Sequence, residues 1–285
     1  MTTTTFRING DRVMMAADSR VSYIDAKSGQ LQSWKDYDDY LKAIECDGKL
    51  YGFAGSNRFF LLFLLNLQQK KYTDVQILHA LAGMAKKEKD SFLIMRYDTE
   101  LHCFGYLSDS DSLYDINSAA LETDKYAIGT GAYTPTYKRH QTNISAMFPI
   151  KQIIVVNEKA VAKAEKKAKG QPIDHPFICL KAGGDHGTGG EIKMTTLQTE
   201  SNVVQAQINV LKRISSEANA SRAVAVCSFD SQVEREKLEN LGVKPNKTEQ
   251  VLSKEEEELM DGFYAQIASI EESFNEEFED EKVAI

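Results

Sequence analysis

The sequence has few of the residues from which disulfide frameworks and zinc sites are built. Its 285 residues include four cysteines and five histidines, with no Cys-x-x-Cys or His-x-x-x-His pair. A zinc site would have to be assembled from distant parts of the chain. The cysteines stand mostly in apolar, strand-like surroundings, which favours free thiols and a reducing compartment such as the cytoplasm. We therefore expect neither a disulfide framework nor a metal site.

Long apolar runs and clustered basic charge are also missing. The most apolar stretch, residues 59–67, is too short to span a bilayer, and no secretory signal precedes the first strand pattern. We expect a soluble cytoplasmic protein with no membrane partner. The formal net charge is −8, and nucleic-acid binding normally needs clustered lysine and arginine, so no nucleic-acid partner is expected. The lysine-rich run 159–169 is interpreted as the solvated face of a helix.

Signals for nucleotide binding are incomplete. Residues 183–190 read Gly-Gly-Asp-His-Gly-Thr-Gly-Gly, which taken alone is an ordinary loop or, less readily, a phosphate cradle. The segment lacks the Gly-Lys-Ser/Thr ending of a P-loop, and no Gly-x-Gly-x-x-Gly follows a strand and opens a helix. Nucleotide binding is therefore not expected, and no cofactor is predicted.

What the sequence does contain is a β-hairpin pattern at its start. Residues 3–8 are rich in β-branched side chains, residues 9–11 are a hairpin-turn signal, and residues 12–17 form an apolar run that ends at Asp18. This hairpin would return Asp18 to the neighbourhood of Thr2. Removal of Met1, which is normal before so small a residue, would leave a threonine with a free α-amine at the edge of an ordered sheet.

A threonine in that position can combine a nucleophile with a base. A hydroxyl is a weak nucleophile until a base accepts its proton, and the α-amine of an N-terminal threonine can be that base. The reference pKa of an α-amine is about 7.7–8.0, and a nearby lysine ammonium lowers it because like charges repel. The sequence should then supply such a lysine. The alternative is that Thr2 is an ordinary strand residue that keeps its methionine.

Further motifs occur in the order found in one protein family. After Met14-Met-Ala-Ala-Asp18-Ser-Arg20 come these four: Lys42-Ala-Ile-Glu, Gly52-Phe-Ala-Gly55-Ser, Ala127-Ile-Gly-Thr130-Gly-Ala and Asp185-His-Gly-Thr188-Gly-Gly190. From residue 2 to about residue 198 the chain resembles the N-terminal-nucleophile (Ntn) hydrolases of the proteasome β class. The phrase Gly-Phe-Ala-Gly-Ser is most similar to the bacterial proteasome-like threonine peptidases that work with an ATP-driven unfoldase.

The resemblance implies a fold and an activity. The implied fold is α+β, a four-layer α-β-β-α sandwich over residues 2–198 with a mainly helical extension over residues 199–285. The implied activity is that of a threonine peptidase acting on a peptide or unfolded protein, in a homo-oligomeric ring with an ATP-dependent unfoldase as partner. Two alternatives keep the same fold, namely a proteasome-like peptide ligase and a non-catalytic structural subunit.

The resemblance also implies a catalytic site. Its members in this sequence are Thr2, Asp18, Lys42, Gly55, Thr130, Asp185 and Thr188. The Thr2 hydroxyl would be the nucleophile, and Asp18 would orient and charge-pair Lys42. The backbone N–H of Gly55 would form the oxyanion hole, where a missing donor costs about 10²–10³ in rate.

Several positions differ from the family pattern. Thr130 stands where the family has a serine that hydrogen-bonds the amine, and Asp185 with Thr188 match an Asp-x-x-Ser-Gly-Gly motif, so threonine again replaces serine. The segment before Lys42 is longer than usual, which makes Lys35 an alternative lysine. By the same alignment, the pocket for the residue before the cut bond is bordered by Val21, Tyr40, Phe53 and Asn57. That pocket predicts an apolar or small side chain.

Apolar periodicity predicts the other elements. Strands are expected near 42–46, 49–54, 91–97, 101–106, 125–129, 176–181, 190–197 and 223–228, and helices near 57–70, 74–89 and 204–216. Residues 151–168 are either strand or helix. The first helix is apolar on nearly all sides, so its outer surface faces either its own core or another subunit. A Ser253-x-x-Glu256 capping box opens an acidic helix whose apolar face packs on its own domain or docks a partner. That face comprises Leu259, Phe263, Ile267, Ile270, Phe274 and Phe278.

Overall fold

The fold is mixed α+β, with strands paired in antiparallel fashion. The computed structural model describes residues 2–115, 120–175, 190–193, 201–247 and 252–283. The strands are β1 (Thr4–Asn9), β2 (Arg12–Ala17), β3 (Arg20–Asp25), β4 (Leu31–Asp36), β5 (Ala43–Cys46), β6 (Lys49–Ser56), β7 (Phe92–Tyr97), β8 (Leu101–Leu107), β9 (Ser112–Tyr114), β10 (Lys125–Ile128), β11 (Gly190–Lys193), β12 (Ala223–Cys227) and β13 (Asn246–Lys247). The helices are α1 (Asn57–Gln69), α2 (Asp74–Glu88), α3 (Pro135–His140), α4 (Met147–Ala168), α5 (Ser201–Ala220), α6 (Ser231–Asn240) and α7 (Lys254–Val283).

The predicted N-terminal hairpin is confirmed. β1 and β2 pair in register from Thr4 opposite Ala17 to Asn9 opposite Arg12. Gly10 closes the turn with a φ of 61°, a left-handed conformation that glycine adopts without steric cost. The pair forms the middle of a small sheet in the order β10-β1-β2-β11. This sheet fixes where the chain start lies.

A larger sheet runs in the order β13-β9-β8-β7-β6-β12-β3-β4, with β5 paired to β6. The β3–β4 hairpin lies in the long segment before Lys42, where no strand was predicted. The sequence pattern of β4 is weak because the strand is mostly exposed and polar. Arg20 fixes the hairpin through two bonds to the Asp36 carboxylate, at 2.8 and 2.9 Å, and by stacking its guanidinium on Trp34.

Apolar side chains occupy both faces of the large sheet. One buried cluster joins it to the small sheet and includes Phe6, Met15, Leu50, Leu93 and Met95. A second cluster packs α1, α2 and α5 on the opposite face. On the outer face of the small sheet, α4 packs through Ile150 against Met14 and Ala16. Residues 151–168, predicted as strand or helix, are therefore helical.

The apolar helix α1 is covered by the same chain. Residues 59–64 of α1 are all buried, and α5 packs against this helix from the C-terminal part of the sequence. The outer surface of α1 is thus a core surface of its own chain. Through α5, the extension over residues 199–285 therefore packs directly on the part of the chain that precedes it.

The acidic helix α7 also packs on its own chain. Its predicted capping box is confirmed, because the Ser253 N–H donates to Glu256 at 2.8 Å and the Glu256 N–H donates to the Ser253 hydroxyl at 3.3 Å. Leu259 and Phe263 are buried in the cluster that contains α2. Within the described part of the chain, no helix has the length and apolar character needed to span a membrane.

Candidate functional site

The N-terminal hairpin and the start of β5 bring together three predicted site residues. The Lys42 ammonium donates to the Thr2 hydroxyl at 3.0 Å and to the Asp18 carboxylate at 2.9 Å. A third bond goes to the Arg20 carbonyl. All three donors of the ammonium are therefore engaged. The side chains of Lys42 and Asp18 are both fully buried, so this is a desolvated ion pair in contact with a hydroxyl.

Asp18 is held rigidly by the backbone around it. One carboxylate oxygen accepts the Thr3 N–H at 2.8 Å, and the other accepts the Arg20 N–H at 2.9 Å. These bonds link the end of β2 to the chain start and to the beginning of β3. Backbone donors compensate for the burial of the carboxylate and fix its direction towards Lys42.

Of the two candidate lysines, the structure places Lys42 beside Thr2. Lys42 precedes β5, and its carbonyl accepts the Phe53 N–H at 2.9 Å, which anchors its backbone to β6. Lys35 lies on β4, half exposed, and pairs with Glu217 of α5 at 2.9 Å. Lys35 is thus engaged at the surface by Glu217. The longer segment before Lys42 is accommodated as the β3–β4 hairpin.

Residues 129–131 wrap around the Thr2 backbone. The Thr2 N–H donates to the Thr130 hydroxyl at 3.2 Å, and the Gly131 N–H donates to the Thr2 carbonyl at 3.0 Å. Gly129 has a φ of +96°, and a Cβ at this position would lie 2.3 Å from the Thr2 carbonyl oxygen. Glycine is therefore required here for the loop to approach the chain start so closely.

Gly55, the predicted oxyanion-hole residue, ends the apolar part of β6. Its φ is +124°, and a Cβ would lie 2.6 Å from both the Phe92 Cα and the Ser91 carbonyl oxygen. No other residue fits this position without a shift of β7. In the large sheet, β12 lies on one side of Gly55, with Cys227 opposite it, and β7 lies on the other side, with Phe92 opposite it.

The four predicted pocket residues are buried in one cluster or at its border. Val21, Tyr40 and Phe53 belong to the core cluster on the α1 face of the large sheet. Asn57 begins α1, and its side-chain oxygen accepts the Tyr40 hydroxyl at 2.8 Å. Burial raises the pKa of the Tyr40 hydroxyl well above its usual value, so it remains a donor. The predicted pocket is thus lined by apolar groups with one amide and one hydroxyl.

Two predicted site residues, Asp185 and Thr188, lie outside the described residues. The remaining five are the ones discussed above. Among the described residues, no group of three or more histidine, cysteine, aspartate or glutamate side chains is arranged to hold a metal ion.

The C-terminal part of the chain contributes a thiol that the sequence analysis did not associate with the site. The Cys227 thiol donates to the Asn57 side-chain oxygen at 3.0 Å and lies 3.6 Å from the Tyr40 hydroxyl. Burial raises the pKa of this thiol, against the opposing effects of the Lys42 charge and of the hydrogen bond with Tyr40. Cys227 is therefore a neutral side chain inside the predicted pocket.

Glu234 on α6 is a second residue that sequence reasoning missed. Its buried carboxylate accepts the Gly129 N–H at 2.9 Å, the Tyr133 hydroxyl at 2.6 Å and the Lys237 ammonium at 2.7 Å. It thereby fixes the loop that contacts Thr2. One sequence signal was available, because Asp230 caps a short helix in which Glu234 and Leu238 are spaced to face the core.

Three polar groups of Thr2 are contacted by residues from distant parts of the chain. Thr2 presents Oγ1 to a cation, its backbone nitrogen to a threonine hydroxyl, and its carbonyl to a glycine N–H. A cation beside the hydroxyl favours the alkoxide form that attacks carbonyl carbon. No protein-family model matches the sequence, and no curated protein matches it significantly. A function for this chain can therefore be inferred only from the arrangement of these side chains.

Proposed function

We propose that this protein is a threonine-type peptidase in which Thr2, exposed as the N-terminal residue by removal of Met1, is the nucleophile. The observation that carries the proposal is the fully buried Thr2–Lys42–Asp18 arrangement. A buried ion pair is costly to form, and here its cation contacts a hydroxyl whose own backbone nitrogen lies 3.2 Å from a second hydroxyl, that of Thr130. A structural role alone would not require that combination.

The proposed reaction has two steps. In the first, the Thr2 hydroxyl attacks a peptide carbonyl carbon while its α-amine accepts the proton, and the Gly55 N–H stabilises the oxyanion. The C–N bond then breaks, the leaving amine takes the proton, and an ester remains on Thr2. In the second step water attacks the ester, and Thr2 regains its hydroxyl hydrogen as the acid product leaves. Lys42 keeps the pKa of the α-amine low enough for it to be unprotonated near neutral pH.

We also infer that residues 2–198 adopt the four-layer α-β-β-α arrangement of the Ntn hydrolases. Support comes from the order of the packing partners, in which α1 and α2 lie on one face of the large sheet. The small sheet lies on the other face, and α4 covers the outer face of the small sheet. The Thr2 site lies where β1 of the small sheet contacts β6 of the large sheet.

The proposal is tested by intact-mass measurement with two electrophiles. The native protein should lack the mass of Met1. A peptide β-lactone should acylate the Thr2 hydroxyl, with a gain equal to the mass of the whole reagent. A peptide epoxyketone should also add once, because its ketone takes the hydroxyl and its epoxide takes a free α-amine. Both gains should disappear in Thr2→Ala, whereas Thr2→Ser, which keeps the hydroxyl, should retain them.

The two reagents separate the possible failures. Acylation by the β-lactone without epoxyketone addition would mean an activated hydroxyl without a free amine, which contradicts the proposed base. Retention of Met1 with no adduct from either reagent would overturn the peptidase proposal and favour a structural subunit. Thr5→Val is a suitable control variant, since among the described residues the Thr5 hydroxyl donates to the Ala16 and Ala146 carbonyls and not to the Thr2 site. It should be labelled like the wild type.

A further inference from the structure

β12 lies inside the large sheet although it comes from the C-terminal part of the chain. It pairs with β3 from Ala223 opposite Asp25 to Val226 opposite Ser22, and with β6 at Val226–Ser56 and Cys227–Gly55. Both pairings are antiparallel. β3 and β6 therefore do not pair with each other, and they form the two walls of a cleft that β12 fills.

The cleft leads to Thr2. β12 ends with Cys227 opposite Gly55, the residue proposed to hold the oxyanion. The Cys227 thiol lies in the pocket of Tyr40 and Asn57 and hydrogen-bonds the Asn57 side-chain oxygen at 3.0 Å. The next carbonyl, that of Ser228, accepts the Thr130 N–H at 3.1 Å. The chain thus passes the nucleophile in an extended conformation.

β12 fills this cleft incompletely. Its side chains are small, reading Ala-Val-Ala-Val-Cys, and the two valines are only partly buried. A cavity of about 630 Å³ borders residues 223–226, and a second of about 230 Å³ borders Val226 and Ser228. Within the described residues, the buried Asn57 side-chain nitrogen has no hydrogen-bond partner. A thiol is therefore a poor match for a pocket that offers an amide donor.

The two walls of the cleft are each held in place by contacts that do not involve β12. β3 is fixed to β4 by the bonds of Arg20 to Asp36. β6 pairs with β5 and β7 and contacts the small sheet, where Gly52 lies close to Thr4 and Met15. Departure of β12 would expose two edges ready to pair with another extended peptide, a recognised mode of peptide binding.

We propose that β12 is a resident pseudo-substrate, which occupies the strand position that a peptide substrate must take to reach Thr2. This proposal rests on the peptidase function proposed above and adds its regulation. Thr2, Lys42 and Cys227 are all fully buried with β12 in place, so a peptide reaches the nucleophile only after β12 leaves the cleft. The protein is then in a closed state, and turnover depends on how often β12 is displaced.

The test is a reversible lock of β12 onto β3. Ile24 and Val224 are opposite each other in the antiparallel register and away from Thr2. Opposite residues in such a pair have Cα atoms about 4.5–5.5 Å apart, which is within the range of a disulfide. In the double variant Ile24→Cys/Val224→Cys, oxidation should slow epoxyketone labelling of Thr2 at least about tenfold, and reduction should restore it. In each single variant, the oxidant should leave the labelling rate unchanged.

A second measurement does not depend on Thr2 chemistry. Amide hydrogen exchange should be faster in residues 223–227 than in β6, both in the wild type and in Thr2→Ala. If the locked and reduced proteins are labelled at the same rate, or if β12 is as protected as β6, the pseudo-substrate proposal is wrong. If the reagent labels neither the locked nor the reduced protein, yet the amides of β12 exchange fast, the peptidase function is contradicted. β12 is then a mobile strand in the cleft with no pseudo-substrate role.

Discussion

The two ends of the chain build the same site in different ways. At the N-terminal end, Thr2, Asp18 and Lys42 are positioned by short hairpins, and each lies within a few residues of a strand end. At the C-terminal end, Cys227 and Glu234 reach the site from β12 and α6, more than 100 residues from the groups they contact. The first region supplies the groups that we propose to react, and the second supplies the groups that surround them.

This difference shows that the extension is part of the site. β12 fills the cleft, and the Ser228 carbonyl caps the Thr130 N–H. Glu234 anchors the loop that contacts Thr2. A change in the first region should therefore alter the chemistry itself, whereas a change in the second should alter the rate through position and access. Variants in each region can test this division.

The largest effect is expected from Lys42→Ala. This substitution removes the cation from the Thr2 hydroxyl and leaves the Asp18 carboxylate buried without its counter-ion. Breaking a buried pair in this way typically costs about 3–5 kcal/mol of stability, and loss of the groups that control proton transfer typically costs about 10²–10⁴ in rate. We expect at least a hundredfold slower β-lactone labelling, measured below the melting temperature of the variant.

The matched control for Lys42→Ala is Lys35→Ala. Lys35 is the other lysine near this part of the sequence, but it lies half exposed and pairs with Glu217. Labelling of Lys35→Ala should stay within about twofold of the wild type, since exposed pairs contribute little. Equal loss in both variants would contradict the assignment of Lys42.

Much of the N-terminal region is predictable because its signals are local. The hairpin turn at residues 9–11 and the apolar alternation on either side set β1 and β2, and hence bring Asp18 back to the chain start. In the motif Gly52-Phe-Ala-Gly55, the second glycine, Gly55, stands where a positive φ disfavours other residues. Local backbone chemistry of this kind is visible in a single sequence.

The β3–β4 hairpin and the C-terminal contacts were not predictable in the same way. β4 carries polar, exposed residues and gives no alternating pattern. β12 was predicted as a strand near 223–228, but its partners β3 and β6 are about 170 residues away or more. Strand pairing at such distances is fixed by the packing of the whole domain, so the sequence pattern alone cannot place Cys227 beside Thr2.

A smaller effect is expected from Glu234→Ala. The change leaves the Gly129 N–H, the Tyr133 hydroxyl and the Lys237 ammonium without the carboxylate that accepts them. Buried donors without partners typically cost about 1–3 kcal/mol, and part of this loss should appear as displacement of the Thr130 hydroxyl from Thr2. We expect roughly ten- to hundredfold slower labelling, with a shifted pH profile because the amine contact changes.

Two further variants test whether Glu234 acts through position. Glu234→Gln retains a side-chain oxygen that can accept the Gly129 N–H, so it should recover part of the labelling rate. Glu239 lies on the exposed side of the same helix, so the Glu239→Ala variant should be labelled like the wild type. A pH profile identical to that of the wild type in Glu234→Ala would mean that the residue has only a structural role.

The smallest effect concerns the link between α5 and the β3–β4 hairpin. Glu217 accepts the Tyr37 hydroxyl at 2.6 Å and the Lys35 ammonium at 2.9 Å. Burial raises the pKa of Glu217, but these hydrogen bonds outweigh burial and leave the pKa below its usual value of 4.5. Because the folded-state pKa is the lower one, this carboxylate stabilises the protein fully above about pH 4.5, and the stabilisation is lost as the pH falls through the folded-state pKa.

Glu217→Gln should therefore melt slightly below the wild type at pH 7. A partly exposed interaction of this kind is worth about 0.2–1 kcal/mol, which corresponds to a shift of about 1–3 °C in a domain of this size. The gap between the two proteins should narrow as the pH falls below 4.5 and close once the pH is below the folded-state pKa, where the wild-type carboxyl is neutral as well. Thermal unfolding of both proteins between pH 3.5 and pH 7, in about half-unit steps, measures this. A gap that stays constant or widens in acid would mean that Glu217 is not charged at neutral pH, and the proposed attachment of α5 through its carboxylate would be wrong.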